Sequence, residues 1–199
     1  GNRYLSAGTH NKLYVVNASG TTTDITPAGL TAGRVDAGVN TGYGGAFYGR
    51  EEYGEPRQDG ETLLPATTWS LDNWGEYILA MSPADGKLYE WQLNASNNAA
   101  QVSNSPTGCS GFMVTEERFV VCFGGGGDPR KIQWSDLENN TVWTAAATNQ
   151  AGDLRVQTNG IILAGLRTRG QSVILTSEDC HTLTYAGPPF VYNLERVGT

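Results

Sequence analysis

Residues 69–93, WSLDNWGEYILAMSPADGKLYEWQL, decide the fold class of this chain. The apolar run at residues 77–81 has the length of one strand and is too short for a stable helix. Residues 82–86 supply a proline with a fixed φ and an Asp-Gly pair that tolerates positive φ, which predicts a chain reversal. Residues 87–93 then alternate polar and apolar side chains, as a half-buried strand does. The stretch therefore predicts a β-hairpin.

The same pattern of strand, polar turn and strand recurs along the chain. EYILA–SPADG–KLYEW is followed by RFVVCF–GGGGDPR–KIQWS and by QSVILT–SEDCH–TLTYAG, and YLSAG–THN–KLYVV is a shorter unit near the N-terminus. The second strands of the last three units begin at Lys87, Lys131 and Thr182, which are 44 and 51 residues apart. Periods of about 40–50 residues with about four strands each are typical of β-propeller blades.

We therefore expect an all-β fold, a β-propeller-like repeat of antiparallel meander blades that forms one domain, or a fragment of one, over residues 1–199. A β-sandwich is the alternative, because meandering strands suffice for it without any repeat. The 26 glycines and the 10% aromatic content also favour strands and tight turns. Trp91, Trp134 and Tyr185 occupy corresponding places on the second strands, so we expect them to pack between blades.

A glycine-rich insertion at about residues 28–68 interrupts the repeat. Loops of this length inside a compact domain are usually functional or irregular. One interpretation is a connecting insertion without a further role. The other is an interface arm that anchors on a neighbouring subunit through its aromatic side chains, and the candidate interface residues are then Tyr43, Phe47, Tyr48 and Tyr53.

The charge balance argues against a protein that grips nucleic acid. Thirteen basic and 20 acidic side chains give a formal net charge of −7, whereas neutralising phosphates requires clustered lysine and arginine. An acidic wall is compatible with DNA that slides past without binding, and it is equally compatible with an ordinary acidic surface.

Few residues indicate catalysis or a metal site. The two histidines, His10 and His181, both fall in predicted hairpin turns. Residues 178–181, Glu-Asp-Cys-His, combine a thiol, an imidazole and carboxylates, but four neighbours in one turn cannot all converge, and no catalytic motif accompanies them. The three cysteines have no paired spacing, so they indicate neither a disulfide framework nor a zinc site. We expect no enzymatic activity, no cofactor and no metal.

With WSLDNWGEYILA…GKLYEW, KIQWSD…TVW and YAGPPFVYNLERVG, from about residue 69 to residue 198, the chain resembles tail proteins of short-tailed bacteriophages. The likeness is to the propeller-bearing nozzle or tubular tail protein below the portal and adaptor rings. The resemblance implies a structural virion protein of the tail hub, usually a six-fold homo-oligomeric ring around the DNA exit channel. Such a ring retains the packaged genome and releases it on infection. This chain is much shorter than typical members of that family.

The resemblance also implies the partners and the location of the protein. The expected partners are the portal, the adaptor and other tail proteins, with transient passage of DNA and without specific DNA binding. We expect no membrane contact, assembly in the host cytoplasm and a final place in the virion tail.

The alternative function is a carbohydrate-binding β-propeller module of a receptor-binding or secreted protein. Tryptophans that share one exposed face would favour that function, whereas packing inside the blades is the more common use of such side chains. The five candidates are Trp69, Trp74, Trp91, Trp134 and Trp143. A hydrolase on the same scaffold is a third possibility, and it would require two carboxylates that converge at the axial opening.

Overall fold

The structure is a computed structural model that describes residues 3–35 and 66–198. These residues form 15 β-strands and one short 3-10 turn at Gly125–Gly127. The strands belong to four antiparallel sheets, and each sheet consists of strands that are consecutive in the chain. The all-β expectation is therefore confirmed. The aromatic residues proposed for an interface arm lie outside the described residues.

Sheet 1 contains β1 (Tyr4–Gly8), β2 (Leu13–Asn17) and β3 (Thr22–Asp24). Sheet 2 contains β4 (Ser70–Trp74), β5 (Tyr77–Ser82), β6 (Lys87–Trp91) and β7 (Ala100–Gln101). Sheet 3 contains β8 (Gly111–Val114), β9 (Val120–Phe123), β10 (Lys131–Trp134) and β11 (Gly152–Arg155). Sheet 4 contains β12 (Ile162–Thr168), β13 (Gln171–Thr176), β14 (Cys180–Gly187) and β15 (Val191–Gly198).

All four predicted hairpins form, and each lies in a different sheet. They are β1–β2, β5–β6, β9–β10 and β13–β14. The Asp-Gly turn of the β5–β6 hairpin behaves as its sequence predicts. Gly86 has a φ of 65°, and its amide donates a hydrogen bond of 2.8 Å to the Ser82 carbonyl. The hairpins could be predicted because their turn chemistry is local.

The four sheets stack face to face in chain order. Three clusters of buried apolar side chains separate sheet 1 from sheet 2, sheet 2 from sheet 3, and sheet 3 from sheet 4. Sheets 2 and 3 are therefore covered on both faces, and every residue of β8 and β9 is buried. This explains why the sequence of β9 is continuously apolar, since a strand that is buried on both sides does not alternate.

The first strands of sheets 2, 3 and 4 lie beside one another. The central strand of this group is β8, which contacts β4 on one side and β12 on the other. The backbone of Val114 links the three strands, because its amide donates to Asp72 Oδ2 at 3.0 Å and its carbonyl accepts from Arg167 at 3.4 Å. Gly165 of β12 lies against the Phe123 ring, where a side-chain methyl group would overlap it. The absence of a side chain therefore permits the close approach of sheets 3 and 4.

The predicted equivalence of three aromatic residues holds for Trp91 and Tyr185, which both face the preceding sheet, and is wrong for Trp134. Trp91 faces sheet 1, where its ring lies 5.1 Å from that of Tyr4, whereas Trp134 faces sheet 4. Tyr185 faces back towards sheet 3, with its ring 5.7 Å from that of Phe119. Trp91 is the fifth residue of its strand and Trp134 the fourth of its own. A difference of one residue moves a side chain to the opposite face of a sheet.

Candidate functional site

The tryptophans serve the packing of the sheets. Four of the five are buried and Trp69 is half-buried, and none is exposed on a shared face of the described chain. Four of the five indole nitrogens donate to a backbone carbonyl, among them that of Trp69 to Thr9 at 2.6 Å. The other donors are Trp91 to Asn94 and Asn97, Trp134 to Gln150, and Trp143 to Asn140. The tryptophans therefore do not form an open sugar-binding platform.

The Glu-Asp-Cys-His segment divides between two faces of sheet 4. Cys180 is paired with Leu175 on the outer face, whereas His181 is paired with Ile174 on the covered face. The prediction that the four neighbours do not all converge is confirmed. The prediction that His181 lies in a turn is wrong, because the turn closes at Asp179, whose carbonyl accepts the Thr176 amide at 2.9 Å. His181 is therefore a strand residue.

Asp179 and His181 meet at the covered face of sheet 4. Asp179 Oδ1 lies 3.3 Å from His181 Nδ1, and both side chains are buried. The Arg196 side chain approaches from β15, and its Nε is 3.2 Å from Asp179 Oδ2. The register explains this contact, because Arg196 pairs directly with His181 across the strands. Sequence reasoning missed this group of three.

Asp179 is held in its ionised form. The Thr176 hydroxyl donates to Asp179 Oδ1 at 2.6 Å, and this hydrogen bond is the main reason why the pKa of Asp179 lies below its ordinary value. Burial opposes the shift, and the positive charge of Arg196 adds to it. A carboxylate that stays ionised anchors the arginine beside it.

A cleft of about 810 Å³ opens between the last strands of sheets 3 and 4. The buried His181 ring contributes to it, and the Phe190 side chain, 80% exposed, lies beside it. The volume is within the range of small-molecule sites. The lining residues come from β11 and the segment that follows it and from β14, β15 and the turn between them: Leu154, Arg155, Gln157, Thr158, His181, Ala186, Phe190, Tyr192, Asn193, Leu194 and Arg196.

The charged side chains that line the cleft are both arginines. Its lining includes two arginines and no aspartate or glutamate, whereas the whole chain carries a net charge of −7. Arg155 Nε lies 2.7 Å from Asp128 Oδ2, so each arginine of the cleft is held at its Nε by a carboxylate. Ion pairing at Nε leaves the terminal nitrogens of each guanidinium for a ligand. The arrangement suits recognition of an anion.

Other kinds of site have less support in residues 3–35 and 66–198. No group of three histidine, cysteine, aspartate or glutamate side chains in these ranges is placed to hold a metal ion. None of their segments forms a helix that is long and apolar enough to span a membrane. The cleft is therefore the best-defined candidate site in this part of the chain.

No protein-family model and no curated protein sequence matches this chain. Support for a function therefore comes from the order of the sheets, from their uncovered faces and from the chemistry of the cleft.

Proposed function

We propose that the four sheets are blades of a β-propeller and that the chain is a structural component of a phage tail nozzle or hub. The observation that carries this proposal is the stacking of meander sheets in chain order with the first strands of sheets 2, 3 and 4 together. Propeller blades are four-stranded sheets arranged around a central channel. The side where β4, β8 and β12 meet corresponds to the channel side of such blades.

Two uncovered sheet faces support assembly. The outer face of sheet 4 presents Leu166, which is 57% exposed, together with Val173 and Leu175. The outer face of sheet 1 presents Leu5, which is 70% exposed, and Val16 directly opposite it. Faces that only met water would be expected to carry polar side chains at these positions. Apolar side chains there favour a protein neighbour.

The occupant that we assign to each uncovered face is a second copy of this chain. Each sheet has a forward face, which points towards the next sheet in chain order, and a backward face, which points towards the preceding sheet. Within one copy, the forward face of each sheet covers the backward face of the next. The uncovered face of sheet 4 is of the forward kind, and that of sheet 1 is of the backward kind. Sheet 4 of one copy can therefore continue the stack with sheet 1 of the next. Such head-to-tail contacts form closed rings when the rotation per copy allows closure.

The proposed tail role rests on this geometry and on the resemblance of the sequence to tail proteins of short-tailed bacteriophages. A ring of identical chains, six-fold in the resemblance, would surround the DNA exit channel and contact the portal, the adaptor and other tail proteins. Its excess of 20 acidic over 13 basic side chains suits a wall that DNA passes without binding. In this role the protein retains the genome and later lets it leave, and it performs no catalysis.

Mass measurement of the purified full chain tests assembly. We expect rings at micromolar concentration, and we expect Leu166→Glu and Leu175→Glu to release single copies because a carboxylate would be buried at the contact. Leu137→Glu is the matched control, since Leu137 is similarly exposed in a turn away from both uncovered faces. Single copies of the wild type at every concentration, and no chain in purified virions, would contradict the proposal.

The carbohydrate-binding alternative loses the basis that the sequence offered, because the tryptophans are not exposed together. The cleft between sheets 3 and 4 gives sugar recognition a different and independent basis.

A further inference from the structure

We infer that the cleft between sheets 3 and 4 binds an anionic sugar, a pyranose ring that carries a carboxylate. This inference goes beyond the structural role proposed above and does not depend on it. Three features of the cleft carry the argument: two anchored arginines, a buried histidine without a well-formed hydrogen bond, and an exposed aromatic ring.

The arginines select a negatively charged group. Arg155 and Arg196 are each held through Nε, by Asp128 at 2.7 Å and by Asp179 at 3.2 Å. A planar guanidinium that is ion-paired at Nε can offer its remaining N–H groups to two oxygens of one carboxylate. The two carboxylates are not part of the cleft lining, so the arginines are the charged groups that face the cleft.

His181 supplies the second, independent observation. The residue is 4% exposed, it lines the cleft, and its ring makes no well-formed hydrogen bond in the described part of the chain. The unpartnered atom is Nδ1, which lies 3.3 Å from Asp179 Oδ1 without a well-formed hydrogen bond. Buried polar groups nearly always have a partner. His181 therefore places a polar ring, one of whose nitrogens is unpartnered, in the lining that a bound sugar would contact.

Phe190 favours a sugar over a bare anion. Its side chain is 80% exposed and belongs to the cleft lining, which also includes the apolar side chains of Leu154 and Leu194. Aromatic rings pack well against the C–H face of a pyranose, while the hydroxyl groups of the sugar require amides and hydroxyls. Gln157 and Asn193 supply amides in the same lining. Inorganic phosphate would use the arginines but would leave the apolar side of the cleft empty.

Isothermal titration of the full chain with methyl glucuronide tests the inference, with methyl glucoside and inorganic phosphate as the comparison ligands. We expect methyl glucuronide to bind about tenfold or more tightly than methyl glucoside, because only the former carries the carboxylate. A tenfold difference corresponds to about 1.4 kcal/mol. We expect its affinity to fall as salt is added, since the attraction is partly electrostatic. Phosphate should bind more weakly than the glucuronide.

Three variants locate the binding. Arg196→Gln and Arg155→Gln should each weaken methyl glucuronide binding about tenfold. Phe190→Ala, an exposed position whose truncation leaves the core intact, should weaken it about threefold to tenfold. Arg118→Gln is the matched control and should change nothing, because Arg118 pairs with Glu138 far from the cleft lining. Circular dichroism confirms that each variant is folded.

Three results would overturn the inference. The first is equal binding, or no binding, of the acidic and the neutral sugar. The second is tighter binding of phosphate than of methyl glucuronide, which would make the cleft a phosphate site. The third is a binding constant that Phe190→Ala and Arg155→Gln leave unchanged. Each result leaves the ring assembly untouched, so failure here and failure of the proposed tail role are distinguishable.

Discussion

Sheets 2 and 3 differ from sheets 1 and 4 in how many of their faces are covered. The two inner sheets are covered on both faces, and their strands β5, β8 and β9 are almost wholly buried. The two outer sheets are covered on one face, yet their other faces still carry Leu5, Leu166 and Leu175. The outer sheets therefore resemble inner sheets that lack one neighbour. This difference is the physical basis for proposing that other copies complete the stack.

The largest expected effect compares one leucine from each class of sheet. Leu79 of β5 is fully buried between sheets 2 and 3, so Leu79→Ala should lower the free energy of unfolding by about 2–5 kcal/mol. Leu166→Ala removes the same atoms from the uncovered face and should cost less than about 0.5 kcal/mol in single copies. Urea unfolding at low protein concentration measures both. Equal losses would show that the faces do not differ.

A second comparison uses the covered face of an outer sheet. Gly165→Ala in β12 places a methyl group into the Phe123 ring, and the overpacking should cost about 1–3 kcal/mol. Gly198→Ala in β15 meets no atom within 4 Å and should change stability by less than about 0.5 kcal/mol. Thermal unfolding of both variants provides the measurement. A neutral Gly165→Ala would mean that sheets 3 and 4 do not approach as closely as described.

A third prediction concerns the pH dependence of the stability that Asp179 contributes at the edge of the covered face. The pKa of Asp179 is lowered in the folded protein, mainly by the Thr176 hydroxyl, so its contribution to stability is present above its unfolded pKa of about 3.9. That contribution disappears as the pH falls through the lower folded pKa. Asp179→Asn should therefore be less stable than the wild type at pH 7, and the difference should shrink below about pH 4. Unfolding curves across pH 2–7 test this. A difference that stays constant with pH would contradict it.

The smallest expected effect lies on sheet 1. Lys12 and Asp24 form an exposed ion pair of 2.9 Å, and the hydrogen bond from Lys12 lowers the pKa of Asp24 to about 2. Water and salt screen such pairs, so Asp24→Asn should cost less than about 1 kcal/mol. The difference should vanish as the pH falls from about 4 towards 2. Unfolding in 1 M salt at pH 7 tests this, because the stability difference between Asp24→Asn and the wild type should disappear there. A difference that does not depend on salt would indicate that Asp24 acts through packing.

The hairpins could be predicted from the sequence because each depends on turn residues and strand periodicity that lie within about 15 residues. The direction in which side chains face could not be predicted equally well. Aligning Trp91 with Trp134 was wrong by one residue, which is enough to reverse a face. Strand starts are the least certain feature of a sequence pattern, and facing directions depend on them.

The cleft could not be predicted, because its residues meet only after folding. Asp179 and His181 are two positions apart in the sequence. Strand periodicity therefore places them on the same face once His181 is assigned to a strand. Arg196 joins them through the pairing of β14 with β15, which places it opposite His181 and which no local signal in the sequence marks. Arg155 comes from another sheet altogether.

The most direct test of the central claim is an electron cryomicroscopy reconstruction of the purified full chain. The account predicts a ring in which sheet 4 of one copy covers sheet 1 of the next, with Leu166 and Leu5 at the contact and β4, β8 and β12 on the channel side. Separate copies whose Leu166 and Leu5 faces remain in solvent would contradict it, as would a ring whose contacts lie on other surfaces.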